Sequence, residues 1–356
     1  MSTNTTLRDY VKWRGDLPFS KDPFNTLDAM VLCELAYVDY SVIHLQKCRR
    51  MTVHDAGTKI LDSGLYVLKT LTGGHLDFFE EVVQSERFGN IVMHDYVDIF
   101  QEEKDVQFSA VTFDIDFFNS FIAYRGTDDS LIGWKEDFMI SFTKTESQRL
   151  ALEYAEKVIR RTRYYYAGGH SKGGNLVLYA CAGLNSIKQK HIRHIYVLDA
   201  PGFCSEVFDL SFLDGIRDRV TKIIPEFCVI GKIYELNFAN TSIVQSSSKG
   251  LNAHDALTWQ LDGRKLKTVE SNANASSWLS DVLMTWSESA DLKEREIFIN
   301  EFFDDLQAGG AKTIQDVTKK NANKVLDAIS RSSHTARRMV LNLAKAALNQ
   351  TKEKED

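Results

Sequence analysis

The sequence predicts an α/β fold in which a mostly parallel sheet is covered by helices on both faces. Segments of strand length alternate with segments of helical periodicity from about residue 108, and strand patterns stop after about residue 268. Apolar residues make up 44% of the 356 residues and charged residues 26%, values that are typical of a globular protein. This composition excludes collagen, coiled-coil and disordered classes for most of the chain.

The chain divides by pattern into three regions. Residues 1–24 are expected to form an N-terminal arm, residues 25–268 an α/β domain, and residues 269–356 a helical C-terminal extension. The domain opens with a helix over 25–38, whose apolar residues recur at intervals of three and four. Residues 50–108 are mixed and acidic and show no clear period.

The α/β region separates into alternating strands and helices. The expected elements are, in chain order, strands at 110–115 and 121–124 with a turn at 119–120, a helix at 147–163, a strand at 164–167, a helix at 172–184, a strand at 195–198, a helix at 205–216, and strands at 220–224 and 242–245. His191 and His194 are interpreted as the end of a solvated helix, because no cysteine or carboxylate accompanies them as a metal ligand.

Charge and cysteine content limit the partners and the compartment. The net charge of −6 argues against nucleic acid as a partner. The five cysteines are odd in number and show no C-x-x-C spacing, which indicates free thiols in a reducing compartment. Because neither a signal-peptide pattern nor an apolar membrane span is present, we expect a cytoplasmic protein. No metal or cofactor is predicted, and the oligomeric state stays open.

The C-terminal extension is basic from about residue 312. Between residues 312 and 350, eight lysines and arginines stand against two aspartates, while the chain as a whole is acidic. Apolar residues in this segment share one helical face. Peripheral contact with an anionic membrane and docking on the acidic remainder of the protein both fit this pattern.

The strongest chemical signal is the segment 169–174, Gly-His-Ser-Lys-Gly-Gly, which contains G-x-S-x-G. An apolar strand precedes it and a helix follows it, the context in which this motif holds a serine on a tight turn. The residues two before and two after Ser171 must be small, since larger side chains would collide with the strand and helix. The sequence therefore predicts Ser171 as a nucleophile at the end of the sheet.

A serine nucleophile needs a base and an acid later in the chain. His254 follows the last expected strand and a loop, from which a histidine can reach back over the serine. Asp199 and Glu226 both come at strand ends and are the two candidate acids. Asp199 is favoured because its carboxylate is short and stands on a Pro-Gly turn, and Glu226 remains the alternative.

The oxyanion donors are expected from an earlier strand end and from the residue after the serine. Thr127 follows the strand that ends in Tyr-Arg-Gly, and its backbone N–H, with its hydroxyl as a second group, is suited to this task. Lys172 would contribute its backbone N–H at the start of the following helix.

These motifs together resemble the class 3 lipases. The segment 124–127 (Tyr-Arg-Gly-Thr), the pair Trp134 and Asp137, and the segment 169–174 resemble their F-R-G-T/S, W-x-x-D and G-H-S-L-G-G motifs. Lys172 replaces the leucine of those lipases, which argues against a lipid-facing surface at that position.

A closer resemblance is to an uncharacterised bacterial family allied to those lipases. It covers residues 20–260 and includes the N-terminal helix, G-H-S-K-G-G-N-L, a D-G-P-G-F turn and a final H-D pair. The turn is matched from Asp199, with Ala200 in place of the family glycine, and the pair is matched by His254 and Asp255. The resemblance implies an α/β-hydrolase fold, a Ser171–His254 pair and Asp199 as the acid.

The expected function is therefore that of a serine esterase or lipase acting on small-molecule or lipid esters. An acyl-enzyme would form on Ser171, with His254 as the base. The alternative is an inactive protein of the same fold that serves as a scaffold, with the basic tail engaging a membrane or a partner.

Overall fold

A computed structural model describes residues 4–46, 50–67, 75–104, 106–128, 130–228, 230–270 and 291–308. The predicted helical stretch before residue 291 and the basic segment 312–350 lie outside the described residues. The helices are α1 (Leu7–Arg14), α2 (Thr26–Leu35), α3 (Val53–Ser63), α4 (Leu76–Gln84), α5 (Glu86–Gly89), α6 (Leu131–Met139), α7 (Glu146–Val158), α8 (Lys172–Gly183), α9 (Ser186–Gln189) and α10 (Leu292–Ala308).

Eight strands form one sheet, and their order across the sheet is their order in the chain. They are β1 (Arg50–Thr52), β2 (Val92–Gln101), β3 (Val106–Asp114), β4 (Asn119–Tyr124), β5 (Tyr164–His170), β6 (Ile192–Leu198), β7 (Val220–Pro225) and β8 (Asn240–Val244). Strands β4 to β8 run parallel, and β1 to β4 are joined antiparallel. A separate two-stranded ribbon pairs β9 (Leu261–Asp262) with β10 (Lys265–Leu266).

Helices cover both faces of the sheet, which confirms the predicted fold class. One core layer packs α1 to α4 against the sheet, and the other packs α7 and α8 against the opposite face. The strands in the middle of the sheet are buried on both sides, so they appear in the sequence as continuous apolar runs rather than alternating ones.

Two local features differ from the sequence expectation. Residues 7–14 form helix α1 instead of part of an arm, and its buried face of Leu7, Tyr10 and Val11 joins the core. The helix expected over 205–216 is reduced to a short 3₁₀ turn at Leu210–Leu213. Its helix-like apolar spacing belongs to an aromatic cluster: Phe203, Phe208 and Phe212 pack with ring centroids 4.9 to 6.5 Å apart.

Two further differences concern the edge of the sheet. His194 lies within strand β6 and not on a helix, whereas His191 stands in the turn that follows helix α9, so only His191 is at a helix end. The turn between β3 and β4 falls at residues 115–118, just before the predicted position, because the Asp116 carboxylate accepts hydrogen bonds from the backbone N–H groups of Phe118 and Asn119. The loop therefore closes on Asp116, and Asn119 begins the next strand.

Candidate active site

Ser171 occupies the turn between strand β5 and helix α8. Its backbone has φ 57° and ψ −130°, a conformation that an L residue adopts only under constraint. A Cβ added to Gly169 would lie 2.2 Å from the backbone carbon of Gly173, and one added to Gly173 would lie 2.2 Å from the Tyr124 carbonyl oxygen. The small residues on both sides of Ser171 are therefore required by direct backbone contact.

His254 and Asp199 are joined by a short hydrogen bond. His254 Nδ1 lies 2.6 Å from Asp199 Oδ2, and the aspartate is fully buried. The two residues come from separate loops, since Asp199 follows β6 and His254 ends a 3₁₀ turn at Gly250–His254. Because a carboxylate can only accept, Nδ1 carries a proton, and in the neutral imidazole Nε2 is then the acceptor.

The Asp199 carboxylate sits in a pocket built for a negative charge. Its Oδ1 accepts from the Cys228 thiol at 2.8 Å and from the Gly231 backbone N–H at 3.0 Å. Burial alone would raise the pKa of Asp199, but His254 and the donated hydrogen bonds outweigh it, and the net pKa is below its ordinary value. A Cβ on Gly231 would approach Oδ1 to 2.6 Å, so the donor loop must be glycine here.

A second histidine ties the Ser171 turn to the His254 loop. His170 Nε2 lies 2.7 Å from the His254 carbonyl oxygen, and the two imidazole rings are 4.3 Å apart. Burial, followed by the charge of His254, lowers the pKa of His170 to about 3, so this ring is neutral. Since Nε2 donates to the carbonyl, Nδ1 accepts the Tyr37 hydroxyl at 2.9 Å.

The end of strand β4 lies against Ser171. A Cβ on Gly126 would come within 3.1 Å of the Ser171 Cβ, which brings the next residue, Thr127, to the same edge of the sheet. Thr127 is buried, and its hydroxyl donates to Asp137 at 2.5 Å. Burial raises the pKa of Asp137 to about 6, although Lys172 and the Thr127 hydroxyl act in the opposite direction.

The Lys172 side chain turns inward, away from any exposed surface. It is 1% exposed, and its Nζ lies 3.1 Å from Glu136 Oε2 and 2.9 Å from the Gln107 carbonyl oxygen. This ion pair joins helix α8 to helix α6, which contains Asp137. The first N–H groups of α8, including that of Lys172, have no acceptor within the helix.

Glu226 is not brought to His254. It accepts a hydrogen bond from the Ser246 backbone N–H at 3.3 Å, and no ion pair joins it to His254 among the described residues. No hydrogen bond links Ser171 Oγ to His254 in the described part of the chain, although His170 holds their backbones close together.

Further titratable groups lie near this region on the side of helix α2. His75 Nε2 lies 3.0 Å from Asp255 Oδ2, next to His254 in sequence, and this hydrogen bond raises the pKa of His75. Burial and the nearby Asp255 charge raise the pKa of Glu34 to about 8. No sequence pattern identifies Tyr37, His75 or Glu34 as part of this region, because each is distant in the chain from the serine motif.

Helix α10 packs on helix α6. Lys135 Nζ lies 3.0 Å from Asp304, and the rings of Phe138 and Phe303 are 5.9 Å apart. Among the residues that the structure describes, no cluster of three or more potential ligands could hold a metal ion, and no helix is long and apolar enough to cross a bilayer.

The eight-stranded, mostly parallel sheet and its two helical layers have the α/β-hydrolase fold. Within that class the chain belongs to the Mbeg1-like family, a lipase-like family whose model matches residues 82–304. The crystal structure of M37 lipase is similar to this chain with a TM-score of 0.37 and 17% sequence identity, over 57% of this chain and 68% of that one. No curated protein matches the sequence.

Proposed function

We propose that this protein is a serine hydrolase that cleaves carboxylic esters of small molecules or lipids. The observation that carries the proposal is the 2.6 Å hydrogen bond from His254 to the buried Asp199, beside a serine on a constrained strand-to-helix turn. A buried carboxylate on Nδ1 leaves Nε2 as a base, which is the arrangement that activates a serine hydroxyl.

The reaction would proceed in two halves. Ser171 Oγ attacks the ester carbonyl carbon as His254 Nε2 takes its proton, and the tetrahedral intermediate then expels the alcohol, which receives that proton. Water attacks the acyl-enzyme with His254 again as base, and the carboxylic acid leaves as Ser171 recovers its proton. Asp199 stabilises the imidazolium cation in both halves, since its own pKa is held low.

The backbone N–H groups of Thr127 and Lys172 would hold the oxyanion. Gly126 packs against Ser171, which supports the first assignment, and the N-terminus of α8 supports the second. The Thr127–Asp137 hydrogen bond would keep the Thr127 loop in place. The hydrogen bond between a nucleophilic serine and its histidine is often long without substrate and tightens when substrate binds.

An active-site fluorophosphonate probe tests the proposal. We expect the wild type and Ser205→Ala, a variant at an exposed serine, to be labelled equally, and Ser171→Ala to be unlabelled. Failure of the wild type to label would favour the alternative of an inactive scaffold. Equal labelling of Ser171→Ala would exclude this serine as the nucleophile.

The acid is tested separately with a short-chain aryl ester. We expect Asp199→Asn to lose roughly 10⁴-fold in kcat, because the amide holds the wrong histidine tautomer. Glu226→Gln should keep activity within a few-fold of wild type. The opposite result would assign the acid role to Glu226.

A further inference from the structure

Two phenylalanines protrude at the end of the sheet opposite Ser171, where strands β4 and β5 begin. Phe117 is 83% exposed and Phe118 is 60% exposed, and both lie in the turn between β3 and β4. Tyr164 at the start of β5 is 43% exposed, and its backbone N–H donates to the Phe118 carbonyl at 2.8 Å. Three large aromatic side chains therefore share one exposed corner of the molecule.

Hydrogen bonds with side chains fix the backbone of this corner. The Asp116 carboxylate accepts from the backbone N–H groups of Phe118 and Asn119 at 2.7 and 2.8 Å, and the Arg163 guanidinium donates to the Asp116 carbonyl at 2.5 Å. The Phe117 and Phe118 rings meet edge to face, with centroids 5.0 Å apart. The turn therefore presents both rings outward, while hydrogen bonds with the Asp116 and Arg163 side chains hold its backbone.

The surroundings of the aromatic corner are strongly basic. No aspartate or glutamate occurs between Lys157 and Leu198, a stretch with eight lysines and arginines in a chain of net charge −6. Of these, Lys172 is buried, whereas Arg160, Arg161 and Arg193 are exposed at the N-terminal ends of β5 and β6. We call this surface the basic-aromatic face and define it by Phe117, Phe118, Tyr164, Arg160, Arg161 and Arg193.

Two carboxylates lie at this corner: the exposed Asp116, which accepts hydrogen bonds from the backbone of its own turn, and Asp114. Asp114 is engaged by the Ser120 hydroxyl at 2.7 Å and by Arg163 at 3.0 Å, so its charge is already matched inside the protein. A cavity of about 530 Å³ adjoins the face, and its lining includes Arg160 and Arg163 together with the acidic residues Asp95 and Asp114. The polar lining suits a charged headgroup better than an acyl chain.

We propose that the basic-aromatic face docks on a membrane surface rich in anionic phospholipid. The two phenylalanines enter the interface, where exposed aromatic rings lose their contact with water, and the arginines contact lipid phosphates. Charge complementarity and the protruding apolar tip together favour a bilayer over a folded acidic protein. None of the residues that define this face belongs to the basic segment 312–350 considered above.

The docking geometry has a consequence for the proposed catalysis. Strand β5 runs from Tyr164 at this face to His170 beside Ser171, a distance of about 20 Å at roughly 3.3 Å per residue. The docked protein would therefore hold Ser171 away from the bilayer that it touches. Its substrate would arrive from the aqueous side or from a facing membrane, and docking does not depend on catalysis.

Vesicle flotation of the full chain tests the proposal. We expect binding to vesicles of 70% phosphatidylcholine and 30% phosphatidylserine, weak binding to pure phosphatidylcholine, and a loss of binding in high salt. Arg160→Gln/Arg161→Gln should bind about 30-fold more weakly. Phe117→Ser/Phe118→Ser should bind at least about tenfold more weakly.

Matched controls keep the test specific. Lys265→Gln/Lys267→Gln removes two exposed charges near the opposite edge, and Phe100→Ser/Trp13→Ser removes two exposed aromatic side chains elsewhere. Both controls should bind like wild type. Failure of the wild type to float, or equal losses in the controls and the face variants, would overturn the proposal.

Two more outcomes are decisive. If the face variants lose affinity for single-stranded RNA but float normally, the face binds nucleic acid and the membrane proposal is wrong. If they float less but hydrolyse a soluble ester at the wild-type rate, docking is established independently of Ser171.

Discussion

Replacing Lys172 by leucine, the residue found at this position in class 3 lipases, is expected to destabilise the protein by about 3 kcal/mol. Lys172 and Glu136 are 1% and 3% exposed at their side chains, and their charged atoms are 3.1 Å apart. Removing the cation leaves the carboxylate buried without its partner, and breaking a buried pair in this way costs roughly 3–5 kcal/mol.

Two smaller effects bring the expected loss of stability to the lower end of that range. The Gln107 carbonyl loses the Lys172 donor but keeps the Ser147 hydroxyl at 3.2 Å. Leucine also fills part of the space with apolar atoms that gain from burial. The total stability of a domain is about 5–15 kcal/mol, so the variant should still fold and can be measured.

Urea denaturation monitored by circular dichroism measures the effect. The double variant Lys172→Leu/Glu136→Leu should recover to within about 1.5 kcal/mol of wild type, since an apolar pair can replace a buried ion pair. Lys190→Leu, at an exposed lysine, should change stability by less than about 0.5 kcal/mol. A loss below about 1 kcal/mol in the single variant, or additive losses in the double variant, would refute the reasoning.

Three other predictions concern groups around the site. His75→Gln should lower the melting temperature most at pH 5.5 and little at pH 9. Asp255 raises the pKa of His75, so the stabilisation from protonated His75 is complete below pH 6.5 and is lost as pH rises through the raised pKa. A loss of melting temperature that does not depend on pH would contradict this. Tyr37→Phe should cost about 1–3 kcal/mol in urea denaturation by leaving His170 Nδ1 without a donor, and unchanged stability would refute the contact. Asp137→Asn should stabilise the protein by up to about 3 kcal/mol at pH 8 and by nothing near pH 4. The reason is that the Asp137 carboxyl, whose pKa is raised to about 6, destabilises the fold when it ionises. Equal stability of the variant and the wild type at pH 8 would contradict this prediction.

The sequence predicted best where local pattern and tertiary role coincide. The strands on either side of Asp199, β6 and β7, were placed to within three residues, because each is an apolar run in a parallel sheet. The predictions fail for segments in which the apolar spacing arises from packing other than that of a helix face. The aromatic residues of 203–212 repeat at helical intervals but form a cluster around a short 3₁₀ turn.

For the candidate site, the sequence predicts which residues are involved, and the structure shows which of them are hydrogen-bonded to each other. Motif and position in the chain predict Ser171, His254 and Asp199, and the catalytic roles of these residues remain predictions. Turn chemistry alone favours Asp199 over Glu226, and in the structure Asp199 is the carboxylate that lies 2.6 Å from His254. No local pattern could have identified that hydrogen bond, because 55 residues separate the partners.

The sequence by itself determined the alternation of strands and helices, the glycines beside Ser171 and the excess of basic residues between 157 and 198, since each depends on near neighbours in the chain. Only the tertiary structure decided that Lys172 points inward to Glu136, that Tyr37 and His170 hold the His254 loop, and that Phe117 and Phe118 protrude beside exposed arginines. The physical reason is that burial and hydrogen bonding depend on which distant segments the sheet brings together, and residues far apart in sequence leave no periodic signal of that contact.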